Sequence, residues 1–163
     1  MLVALLSDIH DHTTHLLLAL HCAQEQGCTH LLYMGDMAEV STFRTLREEW
    51  PYPIDLILGN NEYETGTFAR MAKQWPQTTL HGTQADIVLD SRRIFFCHLP
   101  WPASQAAGTG QYDAVFYGHT HTPEIHQAGN TLLANPGEVY GRQNPPSIGI
   151  YDTKTNQVRL ICI

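Results

Sequence analysis

Eight polar residues of this 163-residue chain stand where an apolar run ends. Asp8 and His10 follow Leu2 to Leu6, Asp36 follows His30 to Met34, and Asn60 and Asn61 follow Ile54 to Leu58. His98 follows Ile94 to Cys97, and "GHTH" sets His119 and His121 just after Ala114 to Tyr117. Two histidines at i and i+2 after a strand are, alone, ordinary polar surface. Five strand ends delivering carboxylates, amides and imidazoles are a site, because neighbouring parallel strands bring their carboxyl ends to one edge, where open α/β sheets bind ligands. Burying Asp8 near Asp36 without a partner is costly, and no Lys or Arg stands beside either in its motif. A divalent metal resolves the cost. Mixed imidazole, carboxylate and amide oxygen suit Mn, Fe, Zn, Co or Ni, and the lack of thiolates argues against a structural zinc site. Asp8, His10, Asp36, Asn60, His98, His119 and His121 are too many ligands for one ion with an open position. They suit two ions bridged by a carboxylate. Two dications facing two carboxylates leave about two positive charges, or about one once a hydroxide bridges them, enough to hold a phosphate on an acidic protein. Gly35, Gly59 and Gly118 fit tight turns beside the ions.

These residues need elements to position them. "LVALL" reads as a buried strand, Thr13 or Thr14 as the cap of a helix that stops at Gly27, and His30 to Met34 as a second strand. Ser41 caps a helix through about Glu49, Ile54 to Leu58 is a third strand, and a helix follows over Phe68 to Gln74. That βαβαβ order implies a parallel sheet. The second half reads as hairpins turning near Asp90 and Ser91, at Gly129 and Asn130, and at Thr153 to Asn156, with a strand over Asp113 to Tyr117. The expected fold class is α/β (α+β): a sandwich of two mixed sheets flanked by helices, with a parallel first half of the chain followed by a more antiparallel second half.

Bulk properties bound the function. The length fits one domain over residues 1–163. Net charge is −7 with nine Lys plus Arg and no basic cluster, which argues against binding of long nucleic acid through its phosphates. No apolar run nears the ~20 residues of a membrane span, and the N-terminus reads as a strand, not a signal peptide. Cys22, Cys28, Cys97 and Cys162 lack metal-binding or disulfide spacing, and a reducing cytoplasm is the expected setting.

In order, "DIH", "GD", "GNN", a lone His after a strand and "GHTH" resemble the calcineurin-like metallophosphoesterase superfamily. The short length and "NPGEVYGR" are similar to its small YfcE-type phosphodiesterase branch. The resemblance covers nearly the whole chain and implies a four-layer αββα sandwich. It implies that Asp8, His10 and His121 hold one metal, that Asn60, His98 and His119 hold a second, and that Asp36 bridges them. Thr120 then spaces two histidines so that each reaches a different ion. The implied chemistry is hydrolysis of a small phosphate ester by a bridging hydroxide, with manganese the favoured metal and water's pKa lowered to about 7.

Three positions depart from the family pattern. Asn61 stands where many members carry a histidine that donates a proton to the leaving group. "HLP" (His98, Leu99, Pro100) replaces "HGH", and "DIHDH" puts Asp11 and His12 in place of Gly and Asn. The catalytic candidates are accordingly Asn60, Asn61 and His12, with His12 as a substitute acid or phosphate donor or else a solvated loop residue. His15 and His21 read as exposed helix residues, Trp50, Trp75 and Trp101 as packing residues, and Asn135 as a hydrogen-bond partner for a ligand histidine. Substrate choice is expected in the loops Glu62 to Gly66 and Trp101 to Gly110. Two other functions compete: a nucleotide or dinucleoside polyphosphate phosphatase, and an interaction scaffold like the retromer subunit that resembles this fold. The scaffold predicts an eroded ligand set, whereas all seven positions here hold competent ligand types. The expected partner is a small phosphate ester, with no membrane and no long nucleic acid, and homo-oligomer formation is left open.

Overall fold

The computed structural model describes residues 1–163. Strand β1 (Leu2–Leu6) is apolar throughout because both of its faces are covered. Ala4 and Leu6 face an outer helical layer, while Val3 and Leu5 face a second sheet. β1 pairs in parallel with β2 (His30–Tyr33), which is followed outward by β3 (Ile54–Leu56) and β4 (Thr78–Leu80). On its other side lie β10 (Ser147–Asp152), antiparallel to β1, and β11 (Gln157–Cys162). Helices α1 (Thr13–Glu25), α2 (Val40–Glu49) and α3 (Thr65–Gln74) cover the outer face through Leu16, Leu20, Phe43, Leu46 and Phe68.

The second sheet has the order β5 (Gln84–Leu89), β6 (Arg92–Cys97), β7 (Ala114–Phe116), β9 (Thr131–Asn135), β8 (Glu124–Ala128). Helix α4 (Pro100–Gly108) packs Ala103 and Ala107 on its outer face, against Phe95, Val115 and Tyr117. Between the sheets, Val3, Leu5, Leu32 and Ile57 meet Ile94, Phe96, Phe116 and Ala134. The result is the four-layer αββα sandwich.

Several expectations are corrected. Both sheets are mixed, as expected, but in the second the antiparallel strands β5 and β8 lie at the edges while β6, β7 and β9 run parallel through the centre. The connection between β6 and β7 is α4 rather than the loop expected over Trp101 to Gly110. Its first turn carries two prolines in "PWP", and Pro is favoured in a first helical turn, where its missing N–H bonds nothing. Trp101 is 71% exposed rather than packed, whereas Trp50 is buried and Trp75 packs on the core. Strand β4 has only three residues and escaped the pattern. The three hairpin turns lie where the sequence puts them, and Asp90, Ser91, Gly129 and Asn156 there adopt positive φ.

Candidate metal centre

The carboxyl ends of β1, β2 and β3 from one sheet, and of β6 and β7 from the other, open onto a common cleft. The chain leaves these strands sharply, with φ positive at Asp8 (55°), His10 (42°), Asp36 (63°), His119 (67°) and His121 (61°). Asp, Asn and His tolerate this left-handed region better than most residues, yet so many in one place mark backbone held by its surroundings. The holding bonds are visible: Asp8 N–H donates to Gly35 O and His10 N–H to Asp36 O, both at 3.0 Å. Gly59 and Gly118 let the loops close up. A Cβ on Gly59 would run into Asp36 Oδ1, and one on Gly118 into the Ser7 hydroxyl.

Two sets of ligand atoms converge. Asp8, His10 and His121 form one group, and Asp36, His98 and His119 the other. Asp36 Oδ2 lies 3.3 Å from His98 Nε2 and 3.8 Å from His10 Nε2, so one carboxylate oxygen faces both groups. Asn60 is exposed and lines the cleft with Asp36 and His119.

Hydrogen bonds orient the ligands. His98 is 3% exposed and its Nδ1–H donates to Met34 O at 2.7 Å, which leaves the Nε2 lone pair facing the cleft. His121 Nδ1 lies 2.7 Å from Oε2 of the fully buried Glu138, whose Oε1 accepts the Gln143 and Asn144 N–H groups. A carboxylate behind a histidine in this way fixes the tautomer and presents Nε2 to a metal. Asp8 Oδ2 accepts from Ser7 Oγ (2.5 Å) and His119 N–H (3.0 Å). Asp8 Oδ1 is buried with no hydrogen-bond partner, and His121 Nε2 stands 3.2 Å away. A carboxylate oxygen and an imidazole nitrogen facing each other across a buried gap are joined by a proton, or by a metal cation that takes its place. The donor set therefore fits divalent metal.

The electrostatics agree. Burial alone would raise the Asp8 carboxyl, but contacts from His10 and His121, the charge of His98 and the Ser7 hydroxyl hold it well below the usual carboxylate range. Asp36 is likewise lowered against its burial, by His98 and by Asn61. His121 is pushed up to about 9, first by Asp8 and then, against burial, by Glu138. Against its own burial, His98 is raised by Asp36 and Asp8.

The remaining expected residues take other places. Asn61 donates Nδ2–H to Asp36 Oδ2 at 2.5 Å, and the Asn60 and Asn61 N–H groups bond Asp36 Oδ1. His12 caps α1, its Nδ1 accepting from His15 N–H while its ring stacks on His15; it does not line the cleft. Asn135 bonds no histidine; it donates to Gly118 O and Thr120 Oγ1 and so braces the turn that carries them. His15 is tied to Tyr140 O at 2.9 Å instead of being free on its helix, while His21 is exposed and pairs with Glu25.

Sequence reasoning missed Glu62, Glu138 and Arg142. Glu62 is buried and accepts N–H groups from Met37 and Gly59, lacing two site loops together. Glu138, Tyr140 and Arg142 arrive because Val139 and Tyr140 bond back to Ser7 and Asp8. The segment "NPGEVYGR" held the signal for two of the three: an acid and a base just beyond a turn glycine.

A model of the calcineurin-like phosphoesterase superfamily domain matches residues 1–156. Phosphodiesterase MJ0936 of Methanocaldococcus jannaschii is 26% identical over 100% of this chain and 99% of its own length. Phosphodiesterase YfcE of Escherichia coli is 27% identical over 90% of this chain and 84% of its own. A solved structure of an archaeal phosphodiesterase superposes with a TM-score of 0.93 at 26% identity, covering both chains completely.

Proposed function

The chain belongs to the calcineurin-like phosphoesterase superfamily, and from that premise we propose that residues 1–163 form one metallophosphoesterase domain holding two divalent ions, manganese favoured. Its proposed reaction is hydrolysis of small phosphate esters, phosphodiesters first, a substrate class supported by the two phosphodiesterases it is similar to. The observation that carries the two-ion reading is Asp36 Oδ2, which faces the histidines of both groups. Asp8, His10 and His121 would hold one ion, Asn60, His98 and His119 the other, with Asp36 between them. Such ions, when bound, lower the pKa of water and neutralise charge on a phosphoryl group.

The chain's own residues do the rest. Glu138 and the Met34 carbonyl hold His121 and His98 with Nε2 turned inward. Arg142 lines the cleft, exposed and without a carboxylate partner, so its guanidinium is free to fork onto phosphoryl oxygens. Asn61 has no proton to give a leaving alkoxide; its amide instead steadies Asp36. The cytoplasm is the proposed setting, a reading supported by four unpaired cysteines. No helix is long and apolar enough to cross a membrane. The test is hydrolysis of bis(4-nitrophenyl) phosphate by chelator-treated protein, before and after manganese is returned. Activity should vanish and recover with the metal; full activity in chelator overturns the reading.

A further inference from the structure

Resting on the phosphoesterase reading above, we infer that the cleft continues into a subsite for a single planar ring carried on one arm of the ester. A second cavity, of about 160 Å³, opens beside the metal centre. It has Asn60 in common with the cleft and His98 in common with the second ligand group, so a group seated in it lies next to the phosphorus position. Its inner wall is the buried pair Leu58 and Cys97, and its outer wall is Leu99 and Pro102.

The backbone explains why this wall is apolar and fixed. Leu99 caps α4 in an extended conformation, and the prolines that follow remove its freedom to fold away. Leu99 is left 44% exposed beside a cleft that is otherwise polar, apolar surface with no partner within the fold. Size then selects the occupant. An apolar cavity of about 150 Å³ holds one benzene ring, so this one has room within its walls for a single six-membered ring. At its mouth the Thr83 hydroxyl and the Gln84 carboxamide are exposed and bond nothing in the protein, and can meet polar atoms on the ring's edge.

Phosphonates test this without any leaving group. Methyl-, phenyl- and 1-naphthylphosphonate are titrated calorimetrically into the manganese-loaded protein and into its Thr83→Trp and Leu99→Asn variants. Phenylphosphonate should bind roughly 10–50-fold tighter than methylphosphonate, the yield of burying most of one ring. Naphthylphosphonate should bind no tighter than phenylphosphonate. Filling the cavity with the indole of Thr83→Trp, or making its outer wall polar with Leu99→Asn, should bring the phenyl-to-methyl ratio down toward one. Equal methyl and phenyl affinities, or a ratio unmoved in both variants, overturn the subsite and leave the phosphoesterase reading standing. Binding of neither phosphonate removes that reading, and the subsite with it.

Discussion

Replacing Glu138 by Gln tests how the centre is held, because the change keeps shape and removes only charge and one acceptor. Glu138 uses both oxygens: Oε2 faces His121 Nδ1 at 2.7 Å, and Oε1 accepts N–H groups from Gln143 and Asn144 at 2.6 and 2.7 Å. A glutamine has one acceptor oxygen. With that oxygen on the two backbone N–H groups, its NH₂ points at His121 Nδ1, which must then accept. The proton moves to Nε2, the atom that faces Asp8 Oδ1 and would bind a metal. The opposite flip leaves two buried N–H groups facing an NH₂, at a cost of about 1–3 kcal/mol each. Glutamine therefore forces the wrong tautomer. Loss of such an outer carboxylate typically costs about 10–100-fold in metal affinity, or roughly 1.4–2.8 kcal/mol. Calorimetric titration with zinc should show one of two binding steps weakened by that factor. Long-range ¹H–¹⁵N spectra of the metal-free proteins, recorded above about pH 10 where the His121 ring is neutral, should show the proton on Nδ1 in the parent and on Nε2 in the variant. Unchanged zinc affinity with the proton still on Nδ1 would refute the reasoning.

Two predictions concern stability. Gly118→Ala drives a Cβ into Ser7 Oγ and to 2.7 Å from Asp8 Oδ2, whereas Gly66→Ala meets only Arg70 Nη1 at 3.7 Å. At about 1–3 kcal/mol for overpacking, thermal melts should drop by roughly 2–10 °C for the first and hold or rise slightly for the second; equal melts count against the close approach. Asp55 accepts from His30 Nε2 at 2.7 Å and His81 Nε2 at 2.6 Å, and against its burial these contacts lower its pKa from 3.8 to about 2. A depressed carboxyl contributes stability above its unfolded pKa and loses it as pH falls through the folded one, here between about pH 4 and pH 2, worth about 2 kcal/mol at most. Urea unfolding of Asp55→Asn should show lower stability at pH 7 and a flatter acid limb, and parallel curves for the two proteins would exclude the linkage.

Whether a residue was legible depended on how it reaches the site. Asp8, Asp36 and His98 each stand within two residues of the end of an apolar run, so the strand that positions them announces them. Glu138 and Arg142 lie beyond β9, in a segment that returns beside Ser7 and Asp8 through two backbone hydrogen bonds, and no local pattern encodes a return of that kind. Glu62 was hidden for another reason. In "GNNEY" it reads as a solvated loop acid, yet it is buried because Met37 and Gly59 offer it two N–H groups. Helix α4 was concealed by chemistry that has two meanings, since Pro breaks a helix interior and starts a helix equally well.

The left-handed backbone at the ligands joins these threads. Five of the candidate ligands hold positive φ, and at each the strain is opposed by a bond from another segment of the chain. Asp8 N–H is held by Gly35 O, and His10 N–H by Asp36 O, a bond that also fixes Asp36. His119 N–H is held by Asp8 Oδ2 and His121 O by the Asn144 amide, while Asn135 braces the Gly118–Thr120 turn. Each loop thus fixes its neighbour's ligand as well as its own. Mutual bracing of this kind explains why two carboxylates can be kept buried and close before any ion arrives, with the histidine nitrogens already turned toward them. It also explains why the glycines at 35, 59 and 118 sit among the ligands: the loops can brace one another only where no Cβ keeps them apart.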